Sequence, residues 1–196
     1  MRIVVVHAHP SPSSFNKALF ETCVRVLREQ HHEVDAFDLY ADQFDPVMSA
    51  AERGAYHTAE PILDPLVRRY ADAVDLAEAL VFVYPTWWSS MPAMLKGWLE
   101  KVMVPGIAFG FDAHGKVEPR LQHVRRIAGI TSYGSPRWLV TIGPDNGRRT
   151  LMRALRVSTG FLHTRTTWLG LYKMDTAQQP DREAFLRRVE KELSSW

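Results

Sequence analysis

Three short polar stretches hold the side chains suited to chemistry, and each follows an apolar run. The first is His7-Ala8-His9-Pro10-Ser11-Pro12-Ser13-Ser14-Phe15-Asn16, after Ile3 to Val6. Serine hydroxyls and an amide side chain at a helix start suit a phosphate, because free backbone amides and the positive end of the helix dipole attract an anion. The second is Pro85 to Lys101, PTWWSSMPAMLKGWLEK, after Leu80 to Tyr84. Its tryptophans offer rigid faces and its prolines fix the backbone, so it reads as a wall against a flat ring. The third, Ser132-Tyr133-Gly134-Ser135-Pro136-Arg137-Trp138, follows Arg126 to Thr131. Taken singly, each has a plainer reading: a capped helix needs only one serine, and an aromatic loop can simply pack on its neighbours.

Other chemistries are poorly supported. Neither G-x-G-x-x-G nor G-x-x-x-x-G-K-[ST] follows the first apolar run, which argues against a dinucleotide-binding Rossmann half and against an NTPase. His7 and His9 have no further metal ligand at a useful spacing, so no metal is expected. A net charge of +2 gives no basic patch for nucleic acid. The single cysteine, Cys23, excludes an internal disulfide and fits a helical stripe as a small buried hydrophobe. The N-terminus lacks the pattern of a signal peptide and no apolar stretch is long enough for a bilayer, so no membrane insertion and a cytoplasmic location are expected.

At 196 residues, 46% of them hydrophobic, the chain suits one domain, residues 1–196. Ile3 to Val6 reads as a central strand, followed by a helix through Phe15, Leu19, Cys23 and Val26 or Leu27 with Ser13 or Ser14 as N-cap. Glu33 to Leu39 reads as the second strand, a short helix is expected from Ser49, and Ile62 to Leu76 has helical spacing before the Leu80 strand. Val102 to Gln122 is punctuated by Gly and Pro and reads as a long ordered loop with room for a hairpin turning at Ala113-His114-Gly115. Arg126 to Thr131 is the fourth strand, Thr150 to Thr159 is helical, Thr166 to Leu171 is the fifth strand, and Asp181 to Leu193 is the closing helix. This alternation predicts an α/β three-layer sandwich, a five-stranded parallel sheet with helices on both faces. With strand order 2-1-3-4-5, all three polar stretches meet at the carboxyl edge, where such sheets bind ligands. A phosphate site at one end and a ring wall at the other describe a flavin nucleotide.

HPSPSSFN at His9 to Asn16, FVYPTWWSSMPAMLKGWLEKV at Phe82 to Val102 and TSYGSPRW at Thr131 to Trp138 resemble the flavin loops of the NAD(P)H:quinone oxidoreductase family. The middle motif is the most specific of the three. The resemblance implies a flavodoxin-like fold and places His9, Ser13, Ser14, Phe15 and Asn16 around the flavin phosphate. It places Pro85, Thr86, Trp87, Trp88 and Ser89 along the isoalloxazine, and Thr131, Ser132, Tyr133 and Gly134 at its pyrimidine side. Tyr133 stands where the family often has the first of two glycines, and no motif matches the Tyr and His that help neutralise reduced flavin in longer members. Tyr133 and His163 are the candidates for that role.

The implied activity is a flavin-dependent NAD(P)H oxidoreductase that passes hydride through flavin N5 to a quinone-like acceptor by a ping-pong cycle. Trp88, Met91 and Phe109 are the expected walls of the acceptor site, completed by a second subunit of a homodimer. The serine loop fits FMN or the pyrophosphate of FAD, and likeness to the short bacterial members favours FMN. Two alternatives share the fold: an ancillary regulatory flavoprotein of a potassium-efflux transporter, with a membrane partner, and a flavodoxin-type electron carrier. The net charge of +2 and the long aromatic loop weigh against the carrier.

Overall fold

A computed structural model describes all 196 residues. In chain order the elements are β1 (Arg2–His7), α1 (Phe15–Glu29), β2 (Glu33–Asp38), α2 (Ala50–Ala55), α3 (Pro65–Asp75), β3 (Ala79–Pro85), α4 (Ala93–Val102), β4 (Phe109–Phe111), β5 (Val117–Pro119) and β6 (Arg126–Ser132). There follow α5 (Arg137–Ile142), α6 (Asn146–Arg149), a π-helical turn (Thr150–Ala154), α7 (Leu155–Ser158), β7 (Arg165–Leu171), a 3-10 turn (Met174–Thr176) and α8 (Gln179–Leu193). The main sheet is wholly parallel in the order β2-β1-β3-β6-β7, which is the expected 2-1-3-4-5.

The sheet is buried on both faces, and its side-chain alternation divides the core. Val4, Val6, Leu80, Phe82 and Tyr84 join the core on the face covered by α3 and α4. Ile3, Val5, Ala79, Val81 and Val83 pack on the other face with Leu19, Cys23 and Phe185 of α1 and α8. Cys23 is fully buried, and burial raises its thiol pKa far above the usual value, as expected of a small hydrophobe. Ser14, rather than Ser13, caps α1, its hydroxyl accepting from the Lys17 amide at 3.1 Å.

The expected long loop contains the antiparallel β4–β5 hairpin, turned where Asp112 accepts from the amides of His114 and Lys116 at 2.8 and 2.9 Å. The segment between β6 and β7 is more helical than its sequence suggests. Helix begins at Asn146 rather than Thr150, and α5 was not expected at all, because four- and six-residue helices beside Gly143-Pro144 are too short to show a period.

The helix that leaves the Trp-rich turn is held from outside. Lys101 on α4 is almost fully buried, pairs with Glu52 at 2.8 Å and donates to the Asp45 carbonyl at 3.0 Å. Gly97 lets the same strap lie flat on α4, since a Cβ there would come within 2.2 Å of the Pro46 carbonyl oxygen. Burial alone would raise the Glu52 carboxyl, but the bonds from Lys101 and from the Ser49 amide and hydroxyl outweigh it and hold it below the usual value. His7, at the end of β1, is fully buried, and desolvation lowers its pKa to about 4.

Both shifts act in the same direction on stability. The unfolded chain binds the proton more readily, so stability is lost as pH falls, between about 6.5 and 4 for His7 and through the carboxylate range for Glu52. Lys101→Ala leaves the partly buried Glu52 carboxylate without its partner and should cost roughly 1.5–3 kcal/mol at neutral pH. Urea denaturation of wild type and variant at pH 7 and pH 4 checks both, the gap between them narrowing at the lower pH.

Candidate functional site

The carboxyl ends of β1, β3 and β6 open on a cleft of about 1320 Å³, large enough for a nucleotide-sized ligand. The three polar stretches meet in it. His9, Ser14, Phe15 and Asn16 form one end, Pro85, Thr86, Trp87, Trp88 and Ser89 a second wall, and Ser132, Tyr133 and Gly134 a third.

The first end is a helix N-terminus with unused donors. Ser11 donates its amide to His9 Nδ1 at 3.0 Å, and Ser14 donates to the Ser11 carbonyl at 3.3 Å, which curls the loop into α1. The amides of Phe15 and Asn16 in the first turn find no acceptor in the protein. Asn16 is 4% exposed; its Nδ2 donates to Ser132 Oγ at 3.0 Å, tying the first stretch to the third, while its buried Oδ1 has no partner. An orphaned acceptor beside two free amides is costly without a ligand to meet it. No lysine or arginine lines the cleft, so any anion is held by amides, hydroxyls and the helix dipole.

The second wall is a four-residue turn. Trp87 and Ser90 exchange both backbone hydrogen bonds at 3.0 Å, and Trp88 and Ser89 between them take φ of 48° and 57°. Left-handed backbone at two consecutive residues with side chains is unfavourable by about 1–2 kcal/mol each and persists only where surroundings enforce it. Trp88 is wholly exposed, and Trp87 lies 5.9 Å from the His9 ring.

The third wall is built around Tyr133. Its ring stacks on Tyr172 at 4.8 Å with planes 5° apart, its hydroxyl donates to Asp145 Oδ2 at 2.7 Å, and the same oxygen accepts from Trp168 Nε1 at 3.0 Å. Burial, and then the bond to Asp145, raise the Tyr133 pKa far above its usual value, so the phenol stays protonated.

Five of the expected residues do not line the cleft. Ser13 is exposed, its hydroxyl paired with Ser11 at 3.2 Å, while Ser14 caps α1. Thr131 is fully buried behind the wall, bonded to the Thr86 hydroxyl at 2.9 Å, because β6 runs one residue past it to Ser132. Met91 is buried in the core, where the chain turns inward to start α4. Phe109 belongs to the β4–β5 hairpin and packs against the core, outside the cleft. His163 is exposed just before β7, at the opposite edge of the sheet.

Sequence reasoning missed one part of the cleft: Leu139, Val140, Gly143, Pro144 and Asp145, together with Met174 and Asp175 after β7. The Gly-Pro-Asp-Asn-Gly run at Gly143 to Gly147 was the available signal, a helix stop followed by the N-cap residue of the next helix.

Comparison with known proteins agrees with this fold. The family described as flavodoxin-like fold matches residues 1–193. NAD(P)H dehydrogenase (quinone) 1 of Cavia porcellus is 32% identical over 149 residues, covering 68% of this chain and 54% of that protein. The Escherichia coli protein named uncharacterized NAD(P)H oxidoreductase YcaK is 26% identical over 174 residues, covering 89% and 81%. Among solved structures, the NAD(P)H:quinone oxidoreductase from Methanothermobacter marburgensis superposes with a TM-score of 0.84 at 27% identity, covering 99% of this chain and 98% of that one. The chain spans about half the length of the first curated relatives it matches. With a family match over nearly its whole length and the sheet order found, the chain belongs to the flavodoxin-like fold family.

Proposed function

We propose that this protein is a flavin-dependent NAD(P)H oxidoreductase acting on a quinone-like acceptor. The observation that carries this reading is the meeting, in one cleft, of two free amides and an orphaned Asn16 Oδ1 with a tryptophan turn. The names of the relatives are consistent with it. A flavin bound there would supply hydride transfer between a nicotinamide and an acceptor that use the site in turn.

The chain's own residues would do the holding and orienting. The Phe15 and Asn16 amides receive the phosphate; the Ser14 oxygen already accepts from Lys17, which leaves its hydroxyl proton to donate. Asn16 Oδ1, buried without a partner, would take a donor from the cofactor. Pro85, Thr86, Trp87 and Ser89 border the ring, and the unbonded amides of Trp88 and Ser89 stabilise charge that develops on it. The serine loop would fit FMN or the pyrophosphate of FAD, and FMN is the cofactor proposed, on the likeness to the short bacterial members. Trp88, exposed at the mouth, is the wall for nicotinamide and acceptor in turn. Trp88, Trp138 and Ile142 leave apolar surface around the mouth, which a second copy of the chain would cover in a homodimer.

The direct test is titration of the purified protein with FMN, followed by anaerobic addition of NADH or NADPH. The reading expects a saturable yellow complex that bleaches before any quinone is added; a protein that stays colourless, or a complex that does not bleach, overturns it. Asn16→Ala loses the Ser132 bond and the buried acceptor, each worth about 1 kcal/mol, and should weaken FMN roughly tenfold in fluorescence titration. Trp88→Gly removes no buried surface and relieves a left-handed residue, so thermal stability should hold or rise by about 1 kcal/mol. The same variant should raise the acceptor KM about three- to tenfold, the worth of one aromatic contact.

A further inference from the structure

Asp145 touches two walls of the cleft at once. Its Oδ2 accepts the Tyr133 phenol proton at 2.7 Å, and its Oδ1 caps α6 by accepting from the Arg148 amide at 3.2 Å. Capping fixes the next two residues, and both rest on the tryptophan turn. The Asn146 amide donates to the Ser89 carbonyl at 2.8 Å. Gly147 lies so close that a Cβ would come within 2.8 Å of the Tyr84 hydroxyl, 3.1 Å of the Met91 amide nitrogen and 3.3 Å of the Ser90 carbonyl carbon. Ser89 is one of the two left-handed residues of that turn, and its carbonyl is held from Asn146 on another segment.

Tyr133 is committed by the same contact. A phenol has one proton to give, and it goes to Asp145 while the oxygen accepts from Trp168. Tyr133 therefore has no proton left to donate into the cleft.

We propose that Asp145 is a positioning residue: its carboxylate locks the Tyr133 loop to the Trp87–Ser90 turn, so that the two walls of the ring site are held as one body. The flavin part of its test rests on the function proposed above; the part read on the ligand-free protein does not.

The experiment is hydrogen exchange of the full chain without ligand, followed by FMN titration, for wild type and variants. Asp145→Ala should raise exchange in both 86–91 and 132–136 and weaken FMN roughly tenfold or more, the effect of one charge-assisted bond. Asp145→Asn has one acceptor oxygen for two donors, the Tyr133 phenol and the Arg148 amide, so it keeps one of the two bonds and should fall between wild type and Asp145→Ala in both readouts. Tyr133→Phe should loosen 132–136 and leave 86–91 unchanged. Exchange rising only at 145–149 in Asp145→Ala, or an Asp145→Asn variant as loose as Asp145→Ala in both segments, overturns the proposal. Should Asp145→Ala not fold, Gly147→Ala pushes on the turn from the other side: rising exchange in both segments supports coupling, and a rise confined to 86–91 contradicts it. A wild type that binds no FMN would sink the flavin reading while the exchange pattern still decides this one.

Discussion

The last rung of the β3–β6 ladder is the contact on which the cleft depends. All seven residues of β3 are buried, and the strand is paired with β1 as far as Val83 and with β6 as far as Pro85. One more bond, from the Thr86 amide to the Ser132 carbonyl at 2.8 Å, carries the pairing past the edge of the sheet. The tryptophan turn and the Tyr133 loop therefore start from a shared point. Asn16 bonding to the same Ser132 through its hydroxyl brings the start of α1 to that point as well. A parallel sheet buried on both faces puts its loops at its ends, and these two bonds draw three of the loops together.

The electrostatics of the cleft follow from its lining. With no lysine or arginine facing in, attraction for an anion is short-ranged and directional, supplied by the amides of α1 and by hydroxyls. Asp145 and Asp175 add negative charge on the far side, though Asp145 spends its two oxygens on Tyr133 and on α6. An elongated ligand with one anionic end and a neutral, flat other end matches this division.

The sheet was legible in the sequence because a strand buried on both faces reads as an unbroken apolar run, and Ile3 to Val6 and Leu80 to Tyr84 are such runs. Ser14, Asn16 and the tryptophan turn were legible for a different reason: polar and aromatic residues directly after such runs must sit at the sheet's edge. Met91, Phe109 and Thr131 lie outside the cleft lining because residue type says nothing about which way a side chain faces once a strand runs one residue longer or a turn closes earlier. Asp145 was invisible because its part depends on Tyr133, twelve positions away, and on Ser89, which only the folded chain brings near. The same distance explains α5 and α6, whose few residues are held by contacts rather than by periodicity.

The most direct test of the account is a crystal structure of the protein saturated with FMN. It predicts the phosphate within hydrogen-bond reach of the Phe15 and Asn16 amides, with the ring lying along Trp87 between the Thr86 and Tyr133 walls. A phosphate bound away from α1, or a ring seated outside the cleft at the ends of β1, β3 and β6, would contradict it.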